Sequence, residues 1–306
     1  MLRKSAGFAL VLVLAATVPC WAQFAGHTGT ARQMGMGGAQ VAIADDASSA
    51  ASNPAGLARL RAYWTGATAQ DEDVFLFGDD NGRSDADQNE VLATGGVQAL
   101  PALGVARSTR AGVAFAGGPD DLDSGYGLTA DIAGIGVTPS LIWSLGYGAQ
   151  FGGTSKLSWG AGFAGVTQQA RSLAEVRVGL LWCSEEPPAR PDEGIALGIT
   201  AGYNTQGLFT VRGGPAFHIG DSFLVAGDLT WIQNQAALGY NVGAEGEIGD
   251  HVALRIGTHN SLGTTGAVLC LGAGYKSDDD GWRVDVGWEY LNNATQGLMV
   301  SAGTTF

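Results

Sequence analysis

Between Trp282 and Tyr290 every second position is apolar: Trp282, Val284, Val286, Trp288 and Tyr290, with Arg283, Asp285, Gly287 and Glu289 between them. Successive side chains of a strand point to opposite faces, so this stretch predicts a strand with one greasy face and one charged face. The pattern recurs. Val252, Leu254 and Ile256 oppose His251, Arg255 and His259, and Leu238, Tyr240, Val242 and Ala244 oppose Asn241, Glu245 and Glu247. Val176, Val178, Leu180 and Trp182 oppose Glu175 and Arg177, while Phe209, Val211 and Phe217 oppose Arg212. Phe223, Val225, Leu229 and Trp231 oppose Asp228, and Ile195, Leu197, Ile199 and Tyr203 share one face. The charged faces together carry Glu175, Arg177, Arg212, Asp228, Glu245, Glu247, Arg255, Arg283, Asp285 and Glu289, a set of both signs.

Turn signals divide the chain from position 61 onward into about fourteen such segments. They fall near 61–70, 91–106, 110–118, 132–148, 156–168, 173–183, 194–204, 207–218, 222–232, 236–248, 251–259, 264–276, 281–291 and 296–306. Asp221-Ser222, Gly249-Asp250 and Ser108-Thr109 are short joins. Asp71–Glu90, Pro119–Asp123 and Ser184–Glu193 are longer, acidic ones, and Asp278-Asp279-Asp280-Gly281 is compact. Short turns at one end with longer polar loops at the other fit a membrane barrel.

Alternation alone leaves two architectures open. In a β-sandwich the apolar faces pack on each other and the charges meet water. In a membrane barrel the apolar faces meet lipid and the charges pair inside. Three features favour an antiparallel transmembrane β-barrel of about fourteen strands. The aromatics Trp159, Trp182, Tyr203, Trp231, Tyr240, Trp282, Trp288 and Tyr290 all fall on the apolar face, many near strand ends, as interfacial girdles do. The segments are about ten residues long, as a tilted membrane strand requires. The last one places Leu298, Val300, Ala302, Thr304 and Phe306 on one face, and an aromatic final residue resembles the signal read by outer-membrane assembly machinery.

The start of the chain sharpens this picture. Arg3 and Lys4, an apolar run from Gly7 to Val18, and Cys20-Trp21-Ala22 have the form of a secretory signal peptide over 1–22. The run is short for a membrane span, and no later stretch is long and apolar enough to be a spanning helix. Removing 1–22 leaves 14 basic and 29 acidic residues, a net charge of −15. That balance disfavours nucleic acid as a partner. Gly is abundant at 49 and Pro scarce at 9, which suits many tight turns and thin strands. Cys183 and Cys270 remain; they form no disulfide framework, their pairing is open, and no metal-type Cys/His spacing exists.

Residues 23–60 differ from the rest. They are Ala/Gly/Ser-rich without strand alternation. Asp45-Asp46 precedes a short helix-forming run over 47–51, which Asn53-Pro54-Ala55-Gly56 breaks, and Leu57–Leu60 can add one more turn. The motifs Ala31-Arg32-Gln33-Met34-Gly35-Met36-Gly37-Gly38-Ala39, Val41-Ala42-Ile43-Ala44-Asp45-Asp46-Ala47-Ser48 and Asn53-Pro54-Ala55-Gly56-Leu57-Ala58 resemble the opening of the PorV/PorQ family. That family lies within the FadL-like superfamily of fourteen-stranded outer-membrane barrels. With a signal peptide read at 1–22 and the strand pattern placing a barrel over 61–306, the resemblance implies that 23–60 folds back into the lumen as a plug. In it, the plug motif is Arg32, Met34, Gly35, Gly37, Gly38, Asp45, Asp46, Asn53, Pro54 and Gly56. Physically, the glycines would let the plug approach the wall, and Asp45, Asp46 and Asn53 would meet lumen arginines among Arg177, Arg212, Arg255 and Arg283.

The resemblance implies transport of hydrophobic small molecules across the bacterial outer membrane, or a PorV-type shuttle or scaffold role with exported proteins as partners. A secreted soluble β-protein is the remaining alternative. Pro139 and Pro215 each remove a ladder donor and mark places for a kink or bulge. Val74-Phe75-Leu76-Phe77 in the 71–90 loop is a candidate lid, docking tip or strand extension. Catalysis is not expected. His27, His218, His251 and His259 have no Ser/His/Asp arrangement or nucleophile elbow around them, and Gly35-Met36-Gly37-Gly38 lacks the βαβ setting of a dinucleotide site. No cofactor or metal is expected, since Asp79-Asp80-Asn81-Gly82 lacks EF-hand spacing. The expected contacts are outer-membrane lipid and the assembly machinery.

Overall fold

Alternation of large apolar side chains with Gly, Ser, Thr and charged residues produces fourteen strands. They run β1 Glu90–Leu100, β2 Val105–Gly117, β3 Ser124–Ile135, β4 Ser140–Gln150, β5 Leu157–Gln168, β6 Arg171–Cys183, β7 Glu193–Asn204, β8 Phe209–Ile219, β9 Phe223–Ile232, β10 Gly239–Ile248, β11 Val252–Asn260, β12 Val268–Lys276, β13 Trp282–Leu291 and β14 Ala294–Thr305. The computed structural model describes residues 30–59, 90–100, 105–117, 124–135, 139–152, 156–168, 171–184, 193–235, 238–249, 251–260, 267–277, 282–291 and 294–305. Each strand pairs antiparallel with its sequence neighbours, and β1 closes on β14 from Glu90↔Thr305 to Gln98↔Gly297. Closure leaves no sheet edge, the condition for crossing a bilayer with strands. No helix among the described residues is long and apolar enough to cross a membrane.

The outer face is the apolar one. Phe163, Leu229, Leu254, Ile256, Trp288 and Val300 are all exposed, whereas Glu175, Arg177, Arg212, Asp228, Arg255 and Asp285 are buried inside. The aromatics form two bands. Tyr147, Trp159, Trp182, Tyr275 and Trp282 lie near the end where β1 starts and β14 finishes, here the terminal end; Tyr203, Phe209, Trp231, Trp288 and Tyr290 lie near the opposite end. Rings meet within each band, Tyr275 tilted against Trp282 at 5.6 Å and Trp288 edge-on to Tyr290 at 6.3 Å. Trp282 and Tyr290 are eight residues apart, about 26 Å along the strand and roughly 20 Å along the membrane normal at a tilt of about 40°, so the two bands flank the apolar belt. The fold is thus a transmembrane β-barrel with polar contents, and the sandwich is excluded by the closed ladder.

Several sequence expectations are corrected. The strand expected at 61–70 lies outside the described residues, as do all of 60–89; the first described strand, β1, is flanked by β2 and β14. The join expected at Ser108-Thr109 falls instead at 101–104, and Thr109 pairs with Val97 inside β2. The span 132–148 is two strands, β3 and β4, with Pro139 just before β4 rather than inside it. β3 was hidden because Gly125, Gly127 and Ala133 on its inner face blur the alternation, and apolar residues continue past its end. The division of 132–148 into two brings the described strands to fourteen without 61–70. Pro215 does lie within β8, and Gly214 and Pro215 have no partners in the β8–β9 ladder, yet the register on either side is unchanged, so there is no bulge. Finally, no join between successive strands exceeds nine residues at either end. The expected long loops at one end are absent because the long 71–90 stretch precedes β1 and joins plug to barrel.

The plug is short helical pieces linked by turns. α1 is Ala31–Gly35, with Thr30 as N-cap accepting from the Gln33 backbone N–H. α2 is Ser49–Ser52, and a 3-10 turn follows over Pro54–Gly56. Asp46 Oδ1 accepts from the N–H of the N-cap residue Ser48 at 2.9 Å, but no side chain caps the helix and its first turn holds no acidic residue, so the expected acidic start lies just outside it. The Asn53-Pro54 break also forms: the Asn53 side chain accepts from the Ala55 N–H. α1 has no counterpart in the sequence expectations; Gly35 and two further glycines close behind it masked a helix of five residues.

The plug–wall interface as candidate functional site

Arg32 is the centre of the interface. It projects from α1, and its Nε and Nη2 donate to Glu245 Oε2 and Oε1 on β10 at 3.0 and 2.9 Å. Its Nη1 donates to Asp45 Oδ1 at 2.7 Å, within the plug. Burial disfavours the Arg32 cation, but Asp45 and Glu245 outweigh it and hold its pKa well above the ordinary value. Glu245 also accepts from Arg255 of β11, whose Nη1 donates to Asp285 of β13 at 2.7 Å. Arg283, 4.0 Å from Asp285, bonds Glu90 Oε1 at 2.9 Å and reaches Asp46 Oδ2 at 3.4 Å. One network thus runs from plug to four wall strands, β1, β10, β11 and β13.

A second group holds the turn after α1. Asp228 on β9 accepts from Gln40 N at 2.7 Å and Val41 N at 3.3 Å, and from Arg212 of β8 at 2.6 Å. Arg212 also donates to Gly38 O. On the far side Arg177 donates to Glu175 at 3.0 and 2.8 Å and to Ala51 O. Glu90 accepts from the Ala47 N–H at 2.7 Å. Buried plug backbone is therefore satisfied by wall side chains, which the lumen demands in the absence of regular pairing.

The plug motif residues take distinct roles. Asp46 meets a lumen arginine as expected, but Asp45 pairs with the plug's own Arg32. Asn53 meets none: its amide donates to Val41 O at 2.7 Å and Leu180 O at 3.2 Å. Met34 packs with Ala31 and Met299 of β14. Gly37 and Gly38 have φ of 62° and 77°, a left-handed turn that L side chains avoid. A Cβ on Gly35 would stand 2.9 Å from Gly272 Cα, and one on Gly56 would strike Ala44 O. The wall makes the larger concession. Gly243, Gly257, Gly287, Gly198 and Gly160 face inward, and a Cβ on any of them would collide with plug backbone at Met36, Gly37, Ala31, Val41 or Ala55. These wall glycines and the role of Arg32 as hub were missed. A Gly on the inward phase of a strand, repeated in neighbouring strands, was the available signal.

Glu289 lies 3.5 Å from His259 Nε2. His259 is buried on the inner face as expected, whereas His251 sits in the turn before β11 with its ring 6.0 Å from that of Tyr275. Cys183 and Cys270 are both buried and unpaired with each other. Phe306, residues 1–29 including His27, and Val74–Phe77 lie outside the described residues.

Fold and interface define a plugged outer-membrane-type β-barrel. The chain is similar in fold to the CymD monoaromatic hydrocarbon channel, with a TM-score of 0.57 at 12% identity over 92% of this chain and 99% of that one. It is likewise similar to the P. putida toluene transporter TodX, with a TM-score of 0.54 at 12% identity over 92% and 99% of the two chains. No family model matches the sequence, and no curated protein matches it.

Proposed function

We propose that the protein resides in the bacterial outer membrane and carries hydrophobic small molecules across it in the FadL-like manner. The supporting observation is the plug: Arg32, Asp46 and the backbone at Gln40 and Val41 are bonded to Glu245, Arg283 and Asp228 of the wall. A barrel filled this way is not a diffusion pore for hydrophilic solutes. The apolar outer wall suits cargo that ends in the lipid, and the fold is shared with channels named for monoaromatic hydrocarbons. Export follows from residues 1–22 acting as signal peptide, and assembly from Phe306.

The first test is fractionation with gel mobility before and after boiling. The full chain should fractionate with the outer membrane and change mobility on boiling, and a chain lacking Phe306 should lose this. Uptake of a labelled monoaromatic hydrocarbon by cells with and without the protein then tests cargo. Equal uptake would discard the transport reading.

A PorV-type scaffold for exported proteins is the second reading. It is favoured by the joins opposite the terminal end, none longer than seven residues, which leave little loop from which to build a capture site. Copurification of exported proteins from intact outer membranes separates it from transport.

A further inference from the structure

We propose that His259, Cys270 and Glu289 form a buried three-ligand site for a borderline-soft divalent metal ion of the zinc type. The three come from adjacent strands β11, β12 and β13, all point inward, and all are buried. Their ligand atoms lie within 4.8 Å of one another. Cys270 is directly opposite Glu289, and His259 is the diagonal neighbour of Cys270, since Gly257 pairs with Cys270 and Val268 with His259. His259 Nε2 and Glu289 Oε1 are 3.5 Å apart. Tetrahedral zinc with legs of about 2.0–2.2 Å places two such ligands at roughly 3.3–3.5 Å, so this pair already has the required spacing. Cys270 Sγ lies within 4.8 Å of both of them.

The donor set argues for the metal class. A thiolate, an imidazole and a carboxylate together suit zinc; calcium and magnesium prefer oxygen alone. Three protein ligands leave a fourth position for water or a plug group.

The site's place suggests what it acts on. Gly257, Gly272 and Gly287, the glycines that receive the α1 region, each lie two residues from a ligand on the same strand. In all three strands the step from glycine to ligand leads away from the terminal end. The metal would sit one inward position beyond the seat of α1, tying β11, β12 and β13 together above the plug.

The test uses untagged full-length protein extracted in detergent, stripped with chelator and titrated with Co2+ and Zn2+. One Co2+ per chain should bind with a thiolate-to-cobalt charge-transfer band. The band should vanish in Cys270→Ser, weaken in His259→Gln, and persist in Cys183→Ser. Boiling-dependent gel mobility reports whether each variant folds. Should Cys270→Ser fail to fold, alkylation of the wild-type chain decides: Zn2+ should protect Cys270 and leave Cys183 unchanged. Absence of the band in wild type, its survival in folded Cys270→Ser, or alkylation of Cys270 unaffected by Zn2+ would overturn the site and leave a plain His259–Glu289 pair.

Discussion

At the scale of single residues the interior rests on shared carboxylates. Glu245 serves both Arg32 and Arg255, so Glu245→Gln leaves two buried guanidinium groups short of a counter-charge. Breaking a buried pair from one side costs about 3–5 kcal/mol. Glu245→Gln should lower resistance to urea unfolding by that order, measured by loss of the unboiled gel form. Asp45→Asn should cost less, about 1 kcal/mol, because its side chain is 21% exposed and solvent screens the pair. Equal effects would mean that Arg32 is not anchored to the wall. That Arg212, Asp228, Arg255 and Asp285 face inward was legible from two-residue periodicity. Their partners were not. A plug residue and its wall partner are separated by up to 270 positions, as between Ala31 and Ser301, and no local pattern encodes such a pairing.

At the scale of elements, plug and wall fit because glycine faces backbone. Gly287→Val would drive a side chain into Ala31 O and Met34 Cβ and so unseat α1. The variant should still fold into a barrel, since Gly287 stays paired with Met299 and Gly272 in the ladder. Planar-bilayer recordings should show it conducting ions where the wild type is nearly silent; a silent variant would show that α1 does not seal the lumen. Strand identity was largely readable, and it failed where glycine replaced the alternating signal, in β3, and where a five-residue helix was too short to show a 3.6-residue period, in α1. The break at Asn53-Pro54 was readable because proline restricts the residue before it whatever the surroundings.

At the scale of the whole molecule the inside-out distribution of polarity makes a direct prediction. Ile256 is 54% exposed near the middle of β11, and in water its replacement by arginine would be nearly neutral. In a bilayer Ile256→Arg should cost about 2–4 kcal/mol. Folding titrations into lipid vesicles would measure it, and a neutral substitution would argue against a lipid-facing wall. Both architectures were open on alternation alone, and the girdles of aromatics, the segment lengths and the aromatic-ended last strand were what the sequence offered to choose between them. Closure of a first strand on the last was implied by the expected barrel, but the register of β1 on β14 could not be read, because it joins residues at opposite ends of the barrel sequence.

That closure has a consequence for how the molecule comes to exist. The plug precedes every strand in the chain, and the last strand made, β14, seals against the first. If that seal forms last, the contents are boxed while the lid is still off, like a ship raised inside its bottle before the neck is drawn. A barrel folded without residues 24–60 should refuse the missing peptide when it is added later, yet capture it when the two refold together. Capture in both orders would mean that the box has a door.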